Sequence, residues 1–194
     1  VGGVRFYDRK EVKDIVAYLR LIYQPADRVS FERIVNVPTR GVGAKSIENF
    51  YDWLQANNHS LLDGLTEVGQ CFTLTAKARQ SLGELADMLA ALREIMDETP
   101  PAALIDSLVR RLDYLNFLDD GTPQGESRQE NIKELIGVAQ GYQEVGLGSF
   151  LEEVALISDL DQANFADNSV TLMTLHAAKG LGFPAVFMVG REET

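Results

Sequence analysis

The chain has 194 residues, 45% hydrophobic and 24% charged, with 18 Lys and Arg against 29 Asp and Glu and a net charge of −11. That balance excludes bulk disorder, and the length holds one substantial core, or one domain with pieces of another. No apolar run approaches the ~18 residues of a membrane helix and no basic-then-apolar leader opens the chain. One Cys (Cys71) and two His (His59, His176) leave no internal disulfide and no structural zinc set, so a reducing cytoplasm is the expected compartment and no metal site is expected.

The pattern between the ends is helical. Positions 11–23 place Val12, Ile15, Val16, Leu19, Leu21 and Ile22 on one helix face, with Pro25 as the stop. A short helix is predicted over 31–35, before Pro38, and a third over 44–55, with Ile47, Phe50, Tyr51 and Leu54 on one side. A long amphipathic helix is predicted over 74–96, from Leu74, Ala78, Leu82, Leu85, Leu89, Leu92 and Met96 at steps of three or four. A helix over 102–112 comes after Pro100-Pro101. Residues 119–126 read as a loop by composition. Two more helices are predicted over 127–143 and 149–157, and 160–168 reads as a polar connection. Val170-Thr171-Leu172-Met173 and Val186-Phe187-Met188-Val189-Gly190 look like buried strands, which two alone do not make a stable sheet. The fold class expected is therefore mainly α, with short terminal strands that belong to a neighbouring α/β domain.

Charge is unevenly spread. Residues 1–45 hold nine basic and five acidic side chains, a net +4, while the rest of the chain carries −15. A basic quarter on an acidic body can face nucleic acid locally; a solvated helical surface accounts for the same bias.

Within that quarter lies Arg40-Gly41-Val42-Gly43-Ala44-Lys45, between two predicted helices. Two glycines permit tight turning and leave backbone N–H groups open at a helix N-terminus, a place that favours anions. Val42 would pin the turn between the helices, and Arg40 and Lys45 would flank it with positive charge. This is the pattern of a helix-hairpin-helix grip on a DNA phosphate; an ordinary tight turn between helices fits it too. A second candidate is Thr174-Leu175-His176-Ala177-Ala178-Lys179-Gly180-Leu181-Gly182, on a loop after a predicted strand. A hydroxyl, an imidazole and an ammonium there suit phosphate contact. The alternative is a core His with a solvated Lys.

The spelling of several stretches goes beyond residue type. Thr174-Leu175-His176-x-x-Lys179-Gly180-Leu181-x-Phe183-Pro184-x-Val186-Phe187 closely resembles motif V of the UvrD/PcrA/Rep group of superfamily 1 DNA helicases. The stretch from Gly2 to Arg20 resembles that group's entry into its 2B domain. Phe31-Glu32-Arg33-Ile34-Val35-Asn36-Val37-Pro38-Thr39-Arg40-Gly41-Val42-Gly43 resembles the next stretch of that domain, and Ser127-Arg128-Gln129-Glu130-Asn131-Ile132-Lys133-Glu134-Leu135 resembles a later element of it. Residues 56–125 match only as a variable helical region.

The resemblance implies a fragment: residues 1–3 leaving the RecA-like 2A domain, 4–167 forming the helical 2B insertion, and 168–194 returning into 2A. It implies a parent that is an ATP-dependent 3′-to-5′ DNA helicase using ATP and Mg²⁺, with this chain as its duplex-contacting and regulatory module. By the same carry-over, Arg40, Gly41, Val42, Gly43 and Lys45 would contact duplex DNA. Thr174 and His176 would lie near the single strand, and Lys179, Gly180 and Gly182 would belong to the motif V loop at the ATP cleft. Gly182 stands where the family usually has Glu, so that acid's contact should be missing. The closing Gly190-Arg191-Glu192-Glu193-Thr194 also departs from the family's Gly-Met-Glu-Glu-Gly.

No Gly-x-x-x-x-Gly-Lys-Ser/Thr phosphate loop occurs, and no Asp-Glu pair comes after a candidate Walker B strand. The chain itself is therefore expected to hold no cofactor, to have no catalytic residue of its own, and neither to hydrolyse ATP nor to unwind DNA. Its partners would be DNA at a junction of duplex and single strand, with no membrane. The alternative is a docking module for repair, transcription or replication proteins, for which the acidic stretch 97–120 is suited.

Overall fold

The computed structural model describes residues 6–162, with side chains placed to residue 158. The predicted strands and the 168–194 segment lie outside the described residues, as do residues 1–5. Within them the secondary structure is helical throughout. The order is α1 (Lys10–Tyr23), α2 (Arg28–Ile34), α3 (Ala44–Asn57), α4 (Leu61–Thr66), a 3₁₀ turn (Val68–Gln70), α5 (Ala76–Ile95), α6 (Pro101–Arg111), α7 (Tyr114–Leu118), α8 (Pro123–Ala139), a second 3₁₀ turn (Gln140–Tyr142) and α9 (Gly146–Gln162).

α1 is the central helix. It packs against α2, α5, α6, α8 and α9. Such a position explains why ten of its residues are buried, among them Ala17 and Tyr18 beyond the predicted apolar face, and even Glu11 and Asp14. A helix surrounded by neighbours cannot keep a polar side. On α5 the expected stripe holds: Ala78, Leu82, Leu85, Leu89 and Leu92 are buried, Leu74 just before the helix is buried, and Met96 packs partly buried against the same cluster. The buried apolar residues, from Phe6 to Val154, form one contiguous core.

Helix ends differ from the sequence expectation where capping decides them. α2 begins at Arg28, three residues earlier than expected, because the Asp27 side chain accepts from the Ser30 N–H at 3.0 Å. α8 begins at Pro123 rather than 127: Thr122 caps the Gly125 N–H at 3.2 Å and Pro123 takes the first helical position. Residues 123–126 are thus helix, not loop. α8 also stops at Ala139 and tightens into the 3₁₀ turn, short of 143. α9 runs to Gln162, so 160–162 are helix rather than connection. α4 and α7 are elements that periodicity did not reveal. α4 carries a capping box, with Asp63 N–H donating to Ser60 Oγ at 3.2 Å and Ser60 N–H to Asp63 Oδ2 at 3.3 Å.

A largely buried polar network ties α1 to α2, α7 and α8. Asp14, 2% exposed, pairs with Arg33 of α2 at 2.7 Å and accepts from the Tyr114 hydroxyl of α7 at 3.2 Å. Asn131 of α8 donates to Glu11 of α1 and accepts from Arg9. The element at 127–135 is thereby fixed to the opening of the chain.

Candidate nucleic-acid interface

The turn between α2 and α3 is built by side chains that sequence reading did not single out. Asn36 Oδ1 accepts from the backbone N–H groups of Arg40 at 2.8 Å and Val42 at 3.3 Å, which folds 36–42 back on itself. Tyr18 of α1 donates its hydroxyl to the Val37 carbonyl. Burial pushes the Tyr18 phenol up to about 12, so the hydroxyl stays protonated well into the alkaline range. The Asx-type side-chain bond of Asn36 was the available signal, since Asn and Asp stand out as turn formers.

The glycines have distinct roles. Gly41 has φ +74°, a left-handed conformation that favours glycine. Val42 between them is 1% exposed and joins the core, anchoring the turn. Gly43 has φ −87° and precedes α3 as its N-cap, with no side chain capping the helix. A Cβ added at Gly43 meets nothing within 4 Å. A Cβ at Gly43 therefore does not clash with the turn, contrary to what its place in a tight hairpin suggests. Ser46 and Ile47 N–H groups bond the Gly43 carbonyl at 3.0 and 3.1 Å. The N–H groups of Gly43, Ala44 and Lys45 have no partner among the described residues. Three unpaired donors at the positive end of a 14-residue helix form a place where an anion is favoured.

The flanking cations are less free than their spacing implies. The Arg40 guanidinium turns inward. It donates to the carbonyls of Ile34 and Val37 at 3.0 Å each, to Pro38 at 3.3 Å, and to the Tyr18 hydroxyl at 2.6 Å. Lys45 is exposed and pairs with Glu48 at 2.9 Å, which holds its ammonium above the usual lysine range. Much of the N-terminal positive charge is spent in the same way: Lys13 on Asp8, Arg33 on Asp14, Arg9 on Glu134, and Arg28 stacked 4.0 Å over the Tyr51 ring. A basic stripe facing outward is not what these residues make. Lys77 of α5, outside the basic quarter, stands beside Gly41: a Cβ there would lie 3.5 Å from its Cε.

The second candidate set, Thr174, His176, Lys179, Gly180 and Gly182, lies outside the described residues. Among the described residues no three His, Cys, Asp or Glu side chains come together to hold a metal ion. The described residues therefore offer no carboxylate cluster that would hold the Mg²⁺ of a bound nucleotide. Among the same residues no helix is long and apolar enough to cross a membrane.

Comparison with known proteins decides the family. The UvrD-like helicase C-terminal domain family matches residues 1–194. The chain belongs to that family. It is 40% identical to the ATP-dependent DNA helicase PcrA of Bacillus subtilis, and 38% identical to the proteins of the same name from Staphylococcus epidermidis and Staphylococcus aureus. Each match covers 100% of this chain. The chain spans only 28% of the Bacillus protein and 27% of the staphylococcal ones.

Proposed function

We propose that this chain is the duplex-contacting and regulatory 2B module of an ATP-dependent 3′-to-5′ DNA helicase, and that it grips a backbone phosphate at 41–45. The observation that carries the reading is the turn itself: buried Val42 fixes it, and the N–H groups of Gly43, Ala44 and Lys45 stand open at the head of α3. Backbone donors contact phosphate without reading bases, which suits an enzyme acting on any sequence. The relatives named as ATP-dependent DNA helicases support the parent activity. On this reading residues 1–3 and 168–194 belong to the RecA-like 2A domain, with Thr174 and His176 toward the single strand and Lys179, Gly180 and Gly182 in motif V. ATP and Mg²⁺ are used by the parent at residues this chain lacks. The whole protein works in the cytoplasm on DNA, with repair, transcription or replication proteins as further partners.

The test is binding of the 194-residue chain to a duplex with a 3′ single-stranded tail, between roughly 50 and 200 mM salt. We expect weak, sequence-independent binding, with Kd on the order of 10⁻⁴–10⁻⁶ M at physiological salt, weakening as salt rises. Gly43→Val should reduce binding while leaving helix content unchanged, because its branch occupies the space before the open N–H groups. If the folded variant binds as the parent chain does, the 41–43 segment is only a turn, and the module docks proteins instead.

A further inference from the structure

We propose that the cleft between the middle of α5, the end of α6 and Pro38 is a docking site for a partner protein, which enters it with an apolar side chain flanked by basic residues. The cleft has a volume of about 500 Å³, within the range of clefts that hold a ligand. Its floor is apolar. Leu85 and Leu112 are 2% and 9% exposed, and Pro38 and Met88 stand half-buried beside them. Methionine is unbranched and adapts to the shape of what it meets.

The rim is charged and unpaired. Glu84 and Asp87 stand three residues apart on α5, both exposed, and Arg111 at the end of α6 is exposed too. These opposite charges line one cleft, yet none of the three forms an ion pair among the described residues. Glu84 accepts only from the neutral amide of Gln80 at 3.0 Å, and Arg111 reaches only the Ser107 hydroxyl at 3.5 Å. Arg40 also borders the cleft, but its guanidinium is committed to three carbonyls and Tyr18. Ser81, one turn before Leu85 on α5, donates its hydroxyl to the Arg40 carbonyl at 3.1 Å. The cleft thus lies between elements already tied together, and an occupant does not have to order them.

Charge complementarity decides the occupant. Two unpaired carboxylates on the α5 wall match Lys or Arg side chains, and the Arg111 guanidinium opposite them matches an Asp or Glu. The net charge of −11 favours the approach of a basic partner. Nucleic acid does not suit this rim, because Glu84 and Asp87 repel phosphate. Exposed charges select the partner and its register more than they add affinity; the apolar side chain in the cleft supplies the anchor. The site is separate from the phosphate grip and does not rest on it.

The experiment selects random dodecapeptides, displayed on phage, against the 194-residue chain. Selection should enrich an apolar residue with Lys or Arg on one side and Asp or Glu on the other. A synthetic peptide of the enriched sequence should shift the backbone amides of 84–88 and 111–112. It should bind the double variant Glu84→Lys/Asp87→Lys about fivefold to tenfold more weakly. Selection repeated on that variant should enrich acidic flanks in place of basic ones. Both substituted residues are exposed, so circular dichroism should show native helix content. The absence of any enriched pattern, an enriched peptide that binds parent chain and double variant equally, or amide shifts confined to other residues would overturn the assignment. Binding of the tailed duplex should survive the double substitution, which keeps this test apart from that of the phosphate grip; its loss would place the cleft in the DNA contact instead and overturn the docking site.

Discussion

Arg40 carries its charge beside the hairpin, yet its guanidinium faces the protein. Its donors reach the carbonyl of Ile34 at the end of α2 and those of Val37 and Pro38 just beyond it. It also donates to the hydroxyl of Tyr18, 5.8 Å from whose ring centroid it lies. Such a residue positions the turn. Arg40→Ala should lower stability by about 2 kcal/mol, measured from urea unfolding, because several charge-assisted bonds are lost at once. Arg40→Lys should recover little of it, since an ammonium cannot reproduce the planar fork. Equal midpoints for the parent chain and Arg40→Ala would show that the guanidinium is a surface charge after all. Lys45 is the opposite case. Its pair with Glu48 is fully exposed, the kind of ion pair that contributes little to stability and can be exchanged for a phosphate.

At the scale of elements, periodicity revealed the helices that bury a stripe, and capping decided the rest. α5 was legible because its leucines repeat at steps of three and four over a long run. α4 and α7 are too short for any period to stand out; only Ser60 with Asp63 announced α4. The start of α8 was hidden because Asp119 to Gly125 has a loop composition, although Thr122-Pro123 spells a cap and then a proline that fits the first helical turn. That start depends on Gly125. A Cβ there would lie 2.5 Å from Asp120 Oδ1, 3.0 Å from the Leu118 carbonyl and 3.1 Å from the Asp120 N–H. Backbone cannot yield as a side-chain tip does, so Gly125→Ala should cost about 1–3 kcal/mol. Thermal unfolding checks it, and an unchanged midpoint would mean that the 118–120 segment moves freely. The same variant should leave DNA binding intact, since Gly125 takes no part in the 36–45 turn. The candidate site was legible to the same degree. Gly41-Val42-Gly43 is a local pattern and could be read along the chain. Asn36, Tyr18, Ser81 and Lys77 come to the turn from other places, and no spacing rule links them to it.

Across the whole molecule, the −15 carried by residues 46–194 bears on how strongly this protein can hold DNA. Phosphate is repelled by most of such a surface, so contact depends on a local arrangement of donors rather than on a broad basic face. The described helices supply a frame for one. Along one face of central α1, Tyr18 reaches the turn, and Asp14 and Glu11, one and two turns earlier, join the polar network. One core joins all of it, so the turn is presented by a structure that unfolds as a unit. The most direct test is a titration of the ¹⁵N-labelled chain with a short tailed duplex, read from backbone amide shifts. The largest shifts should fall at Gly43, Ala44 and Lys45, with none in the acidic stretch 97–120. Shifts confined to that acidic stretch, or absent from residues 43–45 while the duplex is bound, would contradict the phosphate grip.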